Sequence, residues 1–459
     1  MIHGKKLWFI GLISLAVYLM NFRFGDLLLQ TGLVHAAPNP FLSYLVQILP
    51  LSGLYLLAIR ISGQGNPDSK QAIFTILFFA FLFRVALIPL EPALSSDIYR
   101  YLWEGKVQVA AGMNPYVQPP EDDQLAFLRD QEIYPLINRK EAPTIYPAGA
   151  QLLFAAMYRM GVHSPQGFKA LALAADAATL LLLFLILKHL GLPLSRILIY
   201  AWNPLLIYEL FHSGHLETFM IPPMLGFIYL ALRDRAIGAG IALGLATALK
   251  LVPVFLLAAV PRGQRLRVLF PFAVVLASTY LFYASAGAKI LGFLPTYFSD
   301  PYEIFNLGII QLAMLSLIKM FSLPALWIRL ALFALLFAIL TVTARFPSAS
   351  PVGVIEKSYI VLSAYLLLIY PAFHPWYLCA LIPILCIVPS RAWLLFSSLL
   401  PLSYMKYLTA DGTTPVWVIY GQFVPLYTLL ALELFSLRTS NERRHQWQPL
   451  PQLPFFKSL

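Results

Sequence analysis

Apolar runs close to the thickness of a bilayer, joined by short polar links, limit what this chain can fold into more than any other feature. Residues 7–24, 41–59, 72–90, 168–188, 325–344 and 416–437 are such runs. A helix rising ~1.5 Å per residue needs about 20 apolar residues to cross roughly 30 Å of hydrocarbon. With the shorter runs counted, about thirteen spanning or half-spanning segments emerge. The fold class is therefore all-α, a polytopic helical membrane protein. Hydrophobic residues at 59% and a mean hydropathy of +0.74 lie far outside soluble averages. Dividing the length by a typical soluble domain size would miscount the domains.

Charge orients the runs. The formal net charge of +11 calls for no nucleic-acid partner, because Lys and Arg sit mostly in the short links, as cytoplasmic loops require. Lys5 and Lys6 start the first run on the cytoplasmic side, and no small-residue cleavage site follows it, so it is read as a span that stays. Residues 1–440 form one transmembrane unit, and the basic, Pro-rich 441–459 is a cytoplasmic tail. Cys379 and Cys386 lie seven residues apart in one apolar run, too far along a straight helix for a disulfide.

The same bookkeeping delivers residues 91–147 to the outer side as a large polar loop. Asp97, Arg100, Tyr101, Glu104 and Gln108 fall on one face of a helix, and Ile98, Leu102 and Val109 on another. Ser96 is the expected cap, and Ala111-Gly112 with Asn114-Pro115 the stop. The expected placement is along the membrane surface, apolar face in lipid. Glu121, Asp122 and Asp123 read as the first turn of a further helix, and Asp411 as a turn residue. Residues 148–161 are expected to lie at the surface, since crossing there would carry Lys188, His189 and Arg196 outside. Residues 306–321 read as interfacial.

Residues 236–260 are too few for two spans and too many for one, yet both flanks are basic. Two short helices meeting at Lys250, with Pro253 setting the break, satisfy both constraints. A lysine there costs roughly 3 kcal/mol on insertion scales unless it faces water or an anion. Arg84 is equally expensive inside the third run, where it either snorkels or serves a function. Asp97, Arg100, Glu104, Tyr146, His212, His215, Glu217, Lys250, His374 and Asp411 all come out near one non-cytoplasmic face, which implies a polar cavity opening outward. His212, His215 and Glu217 have generic metal-ligand spacing and read instead as site lining; no cofactor and no metal site is expected.

A carboxylate at the mouth of such a cavity suits a general base, and nearby cations suit a phosphate. Tyr99, Tyr101, Trp103, Tyr116, Tyr146, Trp376 and Tyr377 suit sugar faces or the membrane interface. No phosphate-cradling loop or dinucleotide fingerprint precedes a strand–helix unit. Ser96-Asp97-Ile98-Tyr99-Arg100-Tyr101, Trp103-Glu104-Gly105, Gly112-x-Asn114-Pro115-Tyr116 and Thr144-Ile145-Tyr146-Pro147 resemble the first outer loop of bacterial GT-C glycosyltransferases, mannosyltransferase-like branch. Trp202-Asn203-Pro204, Ser213-Gly214-His215-x-Glu217, Leu249-Lys250-x-x-Pro253 and His374-Pro375-Trp376-Tyr377 extend the likeness. It departs at Leu216-Glu217, where relatives often read Asn-Asp.

The resemblance implies an inverting transferase of the bacterial plasma membrane. It would move mannose or another hexose from a polyprenyl phosphate carrier to a hydroxyl of a glycan, glycolipid or protein acceptor at the outer face. Asp97 would then be the base, and Lys250, Arg100 and Arg84 would bind donor phosphate. Tyr101, Glu104, Tyr146, His215, Glu217 and His374 would bind substrate. The rival reading is a secondary transporter or carrier-lipid flippase, which would share the lysine at a broken helix.

Overall fold

The computed structural model describes residues 2–20, 39–63, 69–298, 304–324, 326–346, 352–369 and 372–439. Of the described residues 76% are helical, and among them the β-structure is one isolated bridge between Phe305 and Ala372. The all-α expectation holds. The tail at 441–459 lies outside the described residues.

The first helices are α1 (Ile2–Met20), α2 (Pro40–Ser62) and α3 (Lys70–Leu87). Asn39 caps α2 by accepting from the Phe41 amide at 2.9 Å, and Pro40 takes a first-turn position where a missing N–H costs nothing. Then come α4 (Asp97–Ala110), α5 (Ala148–Arg159), α6 (Pro165–His189), α7 (Glu217–Leu232) and α8 (Ala236–Leu249). The chain continues through α9 (Arg265–Leu281), α10 (Ile309–Met320), α11 (Leu326–Arg345), α12 (Gly353–Leu368), α13 (Arg391–Leu399) and α14 (Val416–Thr439).

Among the described residues five helices are long and apolar enough to cross a bilayer: Pro40–Ser62, Lys70–Leu87, Pro165–His189, Leu326–Arg345 and Val416–Ser436. A sixth arises if Arg262–Leu281 and Ala284–Tyr297, bent by 92°, make one span. Three of the shorter apolar runs, residues 197–211, 378–389 and 392–406, form short helical pieces, with Pro204, Pro383 and Pro401 at the start of new pieces. At 12 residues, α5 reaches only ~18 Å, short of the bilayer core. The large apolar side chains that α9 and α11 leave exposed, Phe270 and Phe337 among them, suit a hydrocarbon solvent.

The chain gathers into two compact units, each discontinuous in sequence. One comprises residues 1–86, 183–207 and 381–459. Here Arg84 is buried, its Nη1 donating to the carbonyls of Ala80 (3.0 Å) and Ala201 (2.8 Å). Trp202 donates to the Ile76 carbonyl, and Asn203 donates to Ser397 while accepting from the Leu206 amide. Glu433 of α14 accepts from the Arg391 and Ala392 amides, placing a carboxylate on the positive end of α13. Asp411 forms the expected turn, accepting from the Thr413 amide.

The second unit comprises residues 87–182 and 208–380. Its first outer segment is built on α4, which crosses α5 closely at Gly105, where an added Cβ would stand 2.5 Å from the Phe154 carbonyl oxygen. Ile98, Trp103, Leu125, Phe154 and Phe168 pack into one core around it. Full burial of each such side chain contributes roughly 1.5–3 kcal/mol. The apolar face of α4, expected in lipid, is thus covered by the rest of its own loop and by α5. Residues 121–123 start no full helix; Asp122 caps the short 3-10 turn Asp123–Leu128. Beyond α7, α8 ends at Lys250, whose backbone is extended (φ −152°, ψ 138°), and the 3-10 segment Val252–Ala259 follows. The break falls where the sequence places it.

Candidate active site

Asp97 opens α4, where the helix dipole favours a carboxylate. Ser95, rather than the expected Ser96, supplies the local bond, its Oγ accepting from the Asp97 amide at 3.3 Å. The Asp97 side chain keeps 22% exposure, and its Oδ1 accepts from Asn138 Nδ2 at 2.8 Å. Burial pushes its carboxyl above the ordinary value, opposed by the Asn138 hydrogen bond and by the positive charges of Lys250 and Arg100. Asn138 comes from a loop with no pattern to single it out.

One turn on, Arg100 and Glu104 are buried against each other, with Arg100 Nε donating to Glu104 Oε1 at 2.6 Å. Arg100 also donates to the Arg139 carbonyl (2.9 Å) and the Ala142 carbonyl (2.8 Å), so each guanidinium nitrogen has a protein acceptor. Glu104 Oε2 accepts from Thr144 Oγ1 at 2.9 Å and from Gln151 Nε2. This network ties loop 138–144 to α4 and α5, and so positions Asn138 against Asp97. Tyr101 is stacked on Phe154 with centroids 4.8 Å apart and meets Tyr146 edge-on at 5.0 Å. Its ring faces the core.

His215 arrives from the other side. Tyr208–His212 form a π turn, an irregularity that recurs at functional sites. Gly214, at φ +76°, then reverses the chain in a conformation that penalises other residues. The reversal folds His215 back onto Glu209, its amide donating to the Glu209 carbonyl at 3.1 Å. The imidazole Nε2 lies 3.2 Å from Glu209 Oε2, and Nδ1 lies 3.8 Å from Asp97 Oδ2. Burial, with the charges of Lys250 and His374, holds His215 well below its ordinary pKa.

Lys250 closes the cluster, its Nζ paired with Glu217 Oε1 and set 5.3 Å from the centre of the Tyr377 ring. Its charge acts on both Asp97 and Glu217. Phe305, His374, Trp376 and His215 make a column of near-parallel rings, with centroids 4.6, 4.3 and 4.0 Å apart in turn. Both faces of Trp376 are therefore covered by imidazoles, and neither is open to a sugar. The structure gathers Asp97, Arg100, Tyr101, Glu104, Tyr146, His215, Glu217, Lys250 and His374 within one unit. Arg84 belongs to the other. Glu209 and Asn138 were missed: Glu209 sits inside an apolar run that reads as a span. Among the described residues no group of three His, Cys, Asp or Glu side chains is arranged to hold a metal ion.

A many-helix membrane fold, with its polar side chains concentrated in the loop after the third helix, is that of a GT-C-type glycosyltransferase. More particularly, residues 26–262, over half of the chain, match the profile of the alpha-(1->6)-mannopyranosyltransferase family, N-terminal domain, and the chain belongs to that family. It is a glycosyltransferase of the EC 2.4 class. Nothing among the curated proteins or the solved structures matches it.

Proposed function

We propose that this enzyme transfers mannose, with inversion, from a polyprenyl phosphate carrier to the 6-hydroxyl of a mannose-containing glycan or glycolipid at the outer face of the membrane. The sugar and linkage come from the family's name. An inverting enzyme that makes an α linkage requires a β-linked donor. The observation that carries the reading is the meeting, around His215, of the partly exposed Asp97 carboxylate and the Lys250 ammonium.

Asp97 takes the proton of the acceptor hydroxyl as its oxygen attacks the anomeric carbon. The bond to phosphate breaks with its electron pair going to the phosphate. Lys250 then neutralises that charge, exchanging Glu217 for the phosphate. A phosphate is a good leaving group and needs a cation more than a proton, so one lysine suffices. Arg100, held by Glu104 and three backbone carbonyls, acts as a strut for the base rather than as a phosphate ligand.

The test is transfer from synthetic polyprenyl-phosphate mannose to a mannoside by purified protein in lipid nanodiscs. Asp97→Asn should lose activity by at least about 100-fold while remaining folded. Lys250→Ala should raise the donor KM. Wild-type activity in Asp97→Asn would remove the proposal. Uptake of the carrier lipid into liposomes without product would favour the transporter reading instead.

A further inference from the structure

We propose that Tyr377, supported by Tyr297, is a donor-binding residue: its phenol hydroxyl hydrogen-bonds the phosphate that Lys250 neutralises and so completes the seat of the carrier-lipid head group. This rests on the donor being a polyprenyl phosphate sugar.

Two separate stretches of chain make the arrangement. Pro375 starts the 3-10 segment Pro375–Ala380, and the Tyr377 amide donates to the His374 carbonyl at 3.0 Å. The Tyr377 ring is held edge-on against His374 and Trp376, with centroids 5.4 and 5.8 Å away. Lys250 Nζ stands over its face, 5.3 Å from the centre. Tyr297 ends the short helix Leu294–Tyr297, tied to the outer loop where the Phe293 amide donates to the Thr144 carbonyl at 2.9 Å. Gly292, at φ +53°, permits that approach, since an added Cβ would collide with the same carbonyl. The phenol oxygens of Tyr297 and Tyr377 meet at 3.3 Å. Both residues are partly exposed, as is the Lys250 side chain.

Tyrosines that only mark a membrane interface turn their hydroxyls to water one by one. Here two converge beside one ammonium, and the charge of Glu217 also acts on Tyr377. An ammonium over the ring face and a hydroxyl at the ring edge leave a gap that one phosphate spans, an oxygen on each at about 2.8 Å. The way outward is apolar. Phe298 follows Tyr297 and meets Phe333 of α11 at 6.1 Å, and Phe333 is 52% exposed. A head group seated at Tyr377 thus has an aromatic route to lipid for its prenyl chain.

Phenols suit this place because they donate without adding charge. As the anomeric C–O bond breaks, its electron pair stays on the phosphate, whose negative charge rises. A hydroxyl already donating to that phosphate strengthens its bond in step, with no proton transferred. When Tyr297 donates within the pair, the Tyr377 proton is directed to the phosphate.

Tyr377→Phe, in the full-length protein in nanodiscs, removes the hydroxyl and keeps the ring beneath Lys250. With synthetic polyprenyl-phosphate mannose, kcat/KM for the donor should fall at least about tenfold, and the inhibition constant of free polyprenyl phosphate should rise by a similar factor. The mannoside KM should hold within about twofold, and the melting temperature should not move. Tyr297→Phe should act in the same direction, more weakly. Wild-type donor kcat/KM and inhibition constant in Tyr377→Phe would overturn the proposal. So would a donor loss with an unchanged inhibition constant, which puts the hydroxyl on the sugar, or losses matched by an equal loss of folded protein. If Lys250→Ala weakens donor use and Tyr377→Phe does not, the tyrosine role alone fails. Failure of the wild-type protein to use this donor removes the functional reading as well.

Discussion

At the residue scale the site turns on how one carboxylate is held ready. On the proposed mechanism Asp97 acts ionised, and its folded-state pKa is raised, so kcat should climb with pH through an acid limb above the ordinary carboxylate value of about 4. Asn138, Lys250 and Arg100 oppose that shift, and removing either of the first two should move the limb further up. Lys250→Met deletes the positive charge, and Asn138→Ala deletes the 2.8 Å hydrogen bond to Oδ1. A pH–rate profile of each variant checks the sign; a limb that moves down in either would contradict the stated electrostatics. Asp97, Lys250, His215 and Glu217 were legible in the sequence because charge is conspicuous in an apolar chain. Asn138 and Glu209 were not. An uncharged amide in a loop carries no pattern, and a single glutamate within an apolar run reads as a tolerated exception.

At the element scale, two glycines and a buried network fix where the site residues stand. Gly105→Val would drive α4 away from α5, since even a Cβ meets the Phe154 carbonyl at 2.5 Å. Overpacking of this kind costs about 1–3 kcal/mol, to be read as a lower melting temperature in detergent. Thr144→Val would leave Glu104 one donor short, at a cost of about 1–3 kcal/mol. Because the same network carries loop 138–144, its activity should fall more than its stability alone explains. A variant with wild-type stability would show that Gln151 and Arg100 suffice. Helical period located α4 correctly, but it assigned the apolar face to lipid. Period reports that a face is apolar; it does not report whether lipid or protein covers it.

At the scale of the whole molecule, the proposed sidedness is open to a direct measurement. Cys379 and Cys386 are both buried, so a single introduced cysteine labels against a low background. Glu132 is exposed in the loop after α4. A membrane-impermeant maleimide should reach Glu132→Cys in intact cells and reach Ser458→Cys only after permeabilisation. The reverse pattern would put the site on the cytoplasmic face. By itself the sequence determined that the chain is helical and membrane-embedded, that α8 breaks at Lys250, and that the polar weight lies in the loop at 91–147. These follow from transfer free energy and from proline, which act on each segment locally. Only the tertiary structure decided which polar groups bind one another and which stay partly exposed. Arg100 and Glu104 became a buried ion pair, while His215 was set between Asp97 and Glu209. That choice depends on which donors are consumed by loops more than 30 residues away, a sum over the folded chain that no local pattern contains.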